Sequence, residues 1–451
     1  MMIESFRLLF LKKAEPNISW REHFFKKRIC VQLWQLSWPL MISNLGVPLL
    51  GLTDSFAAGH LGKASDLGAV TLGASLINVV FWGFGFLRMG TTALIAQAFG
   101  DEQKQLLVLL RAFMLALILS LFIWVLSPVI LYLILPNLGA PIDVIPACQS
   151  YFLIVVMSAP FHLANLVSAG WLVGKGQTKM MLKMTTMITL SNIVLNLLFV
   201  FGFGFGVAGI AMATVMAQCI GFIFVSVPIL SREIAKQDWP DKNILFTRQA
   251  FLRLLKMNSD LWLRTMILLF GFFLINISAG HIGTIELATT GVLLNLFYLG
   301  VYFQDGLAVA CETLAGRMRG QRKVKELIEV SRVTFVFSIF LTISLMVILF
   351  LICPLMIDFI TDIDDVRHLA KNYYLWVVFL PISSVWCFVF DGLFLGCSET
   401  RLLLKSTLIS TVIYSVVLVG STMFWGLGAL WASLHLLMWL RALSLAKYYL
   451  I

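Results

Sequence analysis

The chain has 451 residues, of which 60% are hydrophobic and only 12% charged, against about a quarter charged in a soluble domain. Its mean hydropathy of +0.94 and its apolar runs of roughly 20 to 28 residues exclude a soluble fold, because about 20 apolar residues cross the hydrocarbon of a bilayer as a helix. The net charge of +10 requires no nucleic acid, since basic loops facing anionic headgroups account for it.

In chain order, residues 1–32 read as a cytoplasmic tail in which Glu4 to Lys13 form either a short amphipathic segment on the inner membrane surface or a plain tail. The apolar run there is short and no small-residue cleavage site follows, so a cleaved signal peptide is not expected. Twelve spans follow at about 33–58, 67–97, 107–135, 148–173, 180–201, 207–231, 251–279, 287–315, 330–357, 373–396, 403–424 and 427–449. The expected fold is an all-α polytopic membrane protein. Residues 33–231 make an N-lobe, 232–250 a cytoplasmic linker and 251–451 a C-lobe.

Of the 33 Lys and Arg, 28 fall in the N-terminal tail, in the loops after spans 2, 4, 6, 8 and 10, and at the C-terminal end. Lys63, Arg367 and Lys371 fall on the opposite side, and Arg88 and Arg264 inside spans. The positive-inside rule then puts both termini in the cytoplasm. The seven cysteines form no CxxC pair and read as small apolar residues.

The chain is a tandem duplication. Ala58-Gly-His-Leu-Gly62 recurs as Ala279-Gly-His-Ile-Gly283, and Pro160, Gly170, Gly174, Thr178 and Gly206 recur as Pro381, Gly392, Gly396, Thr400 and Gly426 with shifts of 220 to 222 residues. An even number of spans per lobe gives both lobes the same polarity, and transporters built this way bind substrate between the lobes and rock them in alternation.

One superficial motif match carries no chemistry, and two further motifs are missing from the sequence. Gly204-Phe-Gly206-Val-Ala-Gly209 has the spacing of a dinucleotide fingerprint, but it lies in a hairpin between spans rather than between a strand and a helix. No GxxxxGK[ST] loop offers direct ATP drive, and no histidine pair has zinc-ligand spacing. No cofactor, metal or catalytic constellation is expected, so the chain does not read as an enzyme.

Ionisable residues inside spans are costly and therefore functional candidates. Asp54 lies in the outer part of span 1, after Pro39, Gly46, Pro48 and Gly51, which make that helix bendable. It is the first candidate to carry a coupling proton; the alternative is that it reaches the outer headgroups. Asp305 and Glu312 are seven residues apart on one face of span 8, and Asp391 in span 10 precedes the small pair Gly392 and Gly396. Arg264 is expected to pair with Asp260 four residues before it, and Arg88 with a carboxylate from another helix.

Phe86-Leu-Arg-Met-Gly-Thr-Thr-Ala-Leu-Ile-Ala-Gln-Ala-Phe-Gly100, preceded by Trp38-Pro39, Gly51-Leu-Thr-Asp54 and Gly59-His60, resembles the DinF-like branch of the multidrug and toxic compound extrusion (MATE) transporters. Asn192-Ile-Val-Leu-Asn196, Gly206-Val-Ala-Gly-Ile-Ala-Met-Ala-Thr214, Gln304-Asp-Gly306, Trp386 and Asp391-Gly-Leu-Phe-Leu-Gly396 extend the resemblance over essentially the whole chain. It implies efflux of amphipathic, often cationic organic compounds, driven by inward flow of protons or sodium ions. In proton-coupled members the aspartate matching Asp54 is protonated, and its helix bends at the proline matching Pro39. The sodium-dependent branch uses a glutamate in span 7 and an aspartate in span 10; this chain has no glutamate in span 7 and matches the second position with Ser384. Many relatives carry aspartate where this chain has Asn196, which leaves Asp305 and Glu312 as substitutes for a second carboxylate.

The resulting expectation is a monomeric, proton-coupled antiporter of a bacterial inner membrane, with sodium coupling as the alternative. Arg88, Gln97, Asn192, Asn196 and Arg264 would form an intramembrane polar network. Phe81, Trp82, Phe84, Met89, Tyr298 and Tyr302 would offer apolar and cation-π contacts to bulky cations. A flippase for a lipid-linked substrate is the other transport reading, and only Arg88 and Arg264 supply the basic cavity residues it needs.

Overall fold

The computed structural model describes residues 20–61, 63–135, 143–236, 240 and 242–450, and among them every regular element is helical. The segment Glu4 to Lys13 lies outside the described residues. Eleven helices are long and apolar enough to cross a membrane singly: Lys27–Gly59, Ser65–Gln97, Glu102–Leu133, Thr178–Gly202, Gly206–Ala235, Leu254–Ile282, Thr284–Gly320, Val324–Ile360, Asp364–Gly396, Thr400–Thr422 and Phe424–Tyr449. The pair Ile145–Val156 and Ala159–Gly174, bent by 50°, makes the remaining crossing. Numbered in chain order, these are spans 1 to 12, with the bent pair as span 4; each overlaps the span expected at that place.

Local sequence explains the irregularities. Span 4 breaks just before Pro160, which has no N–H for the helical ladder. Span 1 is carried by two helices, Trp20–Asn44, with Pro39 inside it, and Gly46–Gly59, where Pro48 sits in the tolerated first turn. The helix carrying span 1 thus begins well inside the expected tail. Wide π turns end span 5 at Leu197–Gly202 and interrupt span 6 at Phe222–Ser226.

The duplication is visible in geometry as well as in sequence. His60 Nδ1 donates to Phe56 O at 2.9 Å, and its counterpart His281 donates to Ile277 O at 2.9 Å. Gly206 and Gly426 open the last span of each repeat with φ of +58° and +53°, a conformation that glycine adopts without penalty. In span 4 a Cβ on Gly170 would lie 2.6 Å from Arg88 O, and on Gly174 2.7 Å from Ile95 Cβ, both in span 2. Their counterparts Gly392 and Gly396 in span 10 press in the same way on the backbone of Ala308 and Glu312 in span 8. Small residues at such contacts matter in a bilayer, where lipid is as apolar as leucine and close packing drives helix association.

Residues form two compact units, one of residues 42–258 and the other of 259–451 with the described residues up to Met41. The chain therefore passes between units inside span 1 and inside span 7, whereas the sequence reading drew the lobes from residues 33 and 251. In the second unit Ile29, Leu33, Leu36 and Met41 of span 1 pack with Leu307, Leu314 and Val330 of spans 8 and 9. In the first unit the start of span 7 meets span 2, where Gly90 leaves room for Asn258 Oδ1. Also in the first unit, Leu245 of the linker packs on Leu106 and Leu110, and Arg111 donates to the carbonyls of Leu245 at 3.0 Å and Ile244 at 2.6 Å.

Candidate functional site

In residues 42–258 the polar centre is built around Asp54, which the second helix of span 1 buries to 8% exposure. Three neutral side chains, one from each of three other spans, point donors at its carboxylate. Asn196 Nδ2 donates to Oδ1 at 2.8 Å, Tyr151 OH from span 4 to Oδ2 at 3.4 Å, and Thr214 Oγ1 from span 6 to Oδ2 at 3.5 Å. Asn196 Nδ2 also donates to Asn192 Oδ1 at 3.1 Å, and Asn192 Nδ2 to Thr214 Oγ1 at 3.2 Å.

The local sequence places each of these groups. Asn192 and Asn196 are four residues apart and so share one face of span 5. Tyr151 fits because Gly73 of span 2 carries no side chain: a Cβ there would lie 2.6 Å from the ring. The arrangement holds a carboxylate away from lipid, and among the described residues no cation pairs with it. Both the ionised and the protonated acid can be hydrogen-bonded in such a cage, so the cage suits reversible protonation.

The other unit holds a different centre. Arg264 Nη2 of span 7 and Arg441 Nη2 of span 12 each lie 2.5 Å from the same atom, Asp391 Oδ2 of span 10. All three residues are buried, at 4 to 6% exposure. Two sequence expectations are corrected here. Arg264 pairs with Asp391 and not with Asp260, which instead accepts a hydrogen bond from Thr400 Oγ1 at 2.9 Å; a partner across the bundle neutralises a buried guanidinium where Asp260, half-buried near the start of span 7, does not. Arg441, counted with the C-terminal end, is a third intramembrane cation inside Phe424–Tyr449. A charged residue eight positions before the end of an apolar run was the signal for it.

The remaining candidates are dispersed. Asp305 is half-buried and Glu312 buried, both on the unbroken helix Thr284–Gly320. Ser384 donates to Gln304 Oε1 at 2.7 Å, and Gln304 Nε2 to Pro381 O at 3.0 Å. Arg88 and Gln97 are half-buried in Phe86–Gln97. Phe81 stacks on His162 at 4.3 Å, Tyr298 packs on Phe272 and Phe297, Met89, Phe84 and Tyr302 are half-buried, and Trp82 is exposed. Sequence reasoning did not single out Tyr151 as a site residue and used Thr214 only as a motif position; neither is ionised at neutral pH, so the cost of an intramembrane charge did not mark them.

Comparison with known proteins agrees with this architecture. Residues 39–198 and 261–419 match the MatE family, one match in each repeat. The chain is 33% identical over 425 residues to the DNA damage-inducible protein F of Escherichia coli (strain K12), covering 92% of this chain and 90% of that protein. It is 24% identical over 394 residues to the Multidrug and toxin extrusion protein 1 of Homo sapiens, covering 85% of this chain and 66% of the relative. A crystal structure of a mutant Vibrio cholerae MATE transporter superposes with a TM-score of 0.84 at 18% identity, covering 94% of this chain and 97% of that one.

Proposed function

Since this chain belongs to the MatE family of secondary membrane transporters, we propose that it is a proton-coupled antiporter that expels amphipathic or cationic organic compounds by alternating access, with Asp54 as the coupling site. The observation that carries the reading is the cage of neutral donors around a buried carboxylate. An aspartate fixed by arginine would hold its charge throughout the cycle, whereas one held by amides and hydroxyls can exchange a proton as the substrate arrives and leaves. Ion-gradient drive belongs to the family, and the choice of the proton rests on this centre. Ser384, where the sodium-dependent pattern has an acid, is a buried hydroxyl bonded to Gln304, which supports the same choice.

The drive is adequate: moving one charge across 100 mV supplies about 2.3 kcal/mol, and each pH unit about 1.4. The flippase reading gains nothing from Arg441, because it and Arg264 are both held by Asp391. Both termini cytoplasmic, in a bacterial inner membrane, complete the proposal.

The test is transport in proteoliposomes under an imposed pH gradient. Wild-type protein should move a fluorescent organic cation against its gradient, and Asp54→Asn should not. Equal gradient-driven transport by both, or drive by sodium without any pH gradient, would refute proton coupling at Asp54.

A further inference from the structure

Independently of Asp54, we infer that the second unit holds a proton-binding site of its own: the imidazole of His435 in span 12, set between Ser383 Oγ and the carbonyl of Trp376 in span 10. Both helices carry these residues well inside the crossing, and an ionisable ring at that depth is a functional candidate in its own right. The ring is half-buried and Ser383 is buried.

His435 Nε2 lies 3.1 Å from Trp376 O, and His435 Nδ1 lies 2.9 Å from Ser383 Oγ. A carbonyl only accepts, so Nε2 carries a hydrogen whether the ring is neutral or charged. The state of Nδ1 turns on Ser383, whose single hydroxyl hydrogen can go to Nδ1 or to Leu380 O, also 2.9 Å away. When it goes to Leu380, Oγ offers the ring only lone pairs, and a protonated Nδ1 donates to them. The imidazolium then has an acceptor at each nitrogen. When it goes to Nδ1 the ring is neutral, and Leu380 O keeps the hydroxyl of Ser384 at 3.0 Å. Neither state leaves a ring nitrogen unpaired. One rotation of a hydroxyl separates them, and the two acceptors offset the hydration that a cation forfeits at this depth.

Both repeats join their fourth and sixth spans through a histidine. In the first unit His162 occupies the place of Ser383, two residues after the proline of the repeat; it bonds Gln218 of span 6 and lies flat on Phe81 at 4.3 Å. In the second unit the ring comes from the sixth span and stands between two oxygens.

The titratable and charged groups around His435 are engaged elsewhere. On span 10, Tyr373 lies beside Gly428, Cys387 donates to Ser384 O at 3.0 Å, and Asp391 holds Arg441 of span 12 and Arg264 of span 7. On span 11, Tyr414 donates to Gly271 O at 3.1 Å. Among the described residues no ion pair has to break for the ring to take a proton. Access is polar as well: four and eight residues before Trp376, the exposed Asn372 and His368 bond each other at 3.3 Å on one face of span 10.

The experiment is solid-state nitrogen NMR on proteoliposomes of the full chain carrying isotope-labelled histidine, titrated between about pH 8 and 5, where histidine changes charge. One histidine should start with a hydrogen on Nε2 and a bare Nδ1, and its Nδ1 should become protonated on acidification; His435→Gln should delete that signal. Ser383→Ala should move its midpoint by about one pH unit, the difference between a charged and a neutral hydrogen bond, and this response identifies the signal if His435→Gln does not fold. Asp54→Asn should leave the titration in place. A His435 ring that keeps one charge state through the range, or whose neutral form carries its hydrogen on Nδ1, would overturn the inference, as would a midpoint indifferent to Ser383. The coupling reading fails separately, through wild-type transport by Asp54→Asn while His435 titrates as described.

Discussion

Within residues 42–258 the buried carboxylate Asp54 faces a phenol, two amides and a hydroxyl; within the other unit Asp391 is clasped by two guanidiniums. The scaffolds share landmarks of the repeat, among them the histidine bond near the end of the first span and the positive-φ glycine near the start of the last. At the shift of the repeat, Asp54 falls on Ile275 and Asp391 on Ala169, so neither centre survives in the other copy. Under the proposed function, one lobe carries a carboxylate whose charge changes, and the other a carboxylate held by two guanidiniums. A cage of neutral donors serves an exchangeable proton, whereas an ion cluster ties three helices together and costs heavily if one member is removed.

Four outcomes would break or sharpen that comparison. The largest effect is on transport: Asp54→Asn should abolish gradient-driven efflux while leaving thermal unfolding in detergent close to wild type, because the amide substitutes for the acid in size and hydrogen bonding. An Asp54→Asn protein that unfolds early would make the N-lobe centre structural, and the contrast would vanish. Next, Asp391→Asn leaves two buried guanidiniums without a counter-charge and should destabilise by about 3–5 kcal/mol, read as a lowered unfolding midpoint. Replacing Arg264, Asp391 and Arg441 together with Met, Leu and Met should restore most of the loss.

Smaller effects test whether the scaffolds are equivalent. Gly170→Ala and Gly392→Ala each force a methyl against the backbone of a neighbouring span and should cost about 1–3 kcal/mol apiece. Unequal losses, measured by the same melts, would show that one copy has relaxed around its glycine. Least of all, Gly206→Ala and Gly426→Ala should cost about 1–3 kcal/mol each, because both have open space around them and only the positive-φ backbone opposes a side chain.

The two prolines of the repeat show where sequence stops. Pro160 and Pro381 occupy equivalent places, yet span 4 bends by 50° and span 10 runs unbroken from Asp364 to Gly396. A missing N–H permits a bend, and the packing around it decides whether one occurs.

What the sequence by itself determined were the features that depend on composition along the chain: twelve crossings, the duplication, and the carboxylates and arginines that a bilayer tolerates only for a reason. Hydrocarbon cannot satisfy a backbone group or a charge, so both constraints are written locally. Partnership was decided by tertiary structure alone. Arg264 chose Asp391, 127 residues away, over Asp260 four residues away, and Tyr151 and Thr214 joined Asp54 from separate spans. Side chains far apart in sequence meet only once helices have packed, and neutral groups among them carry no penalty that would mark them beforehand.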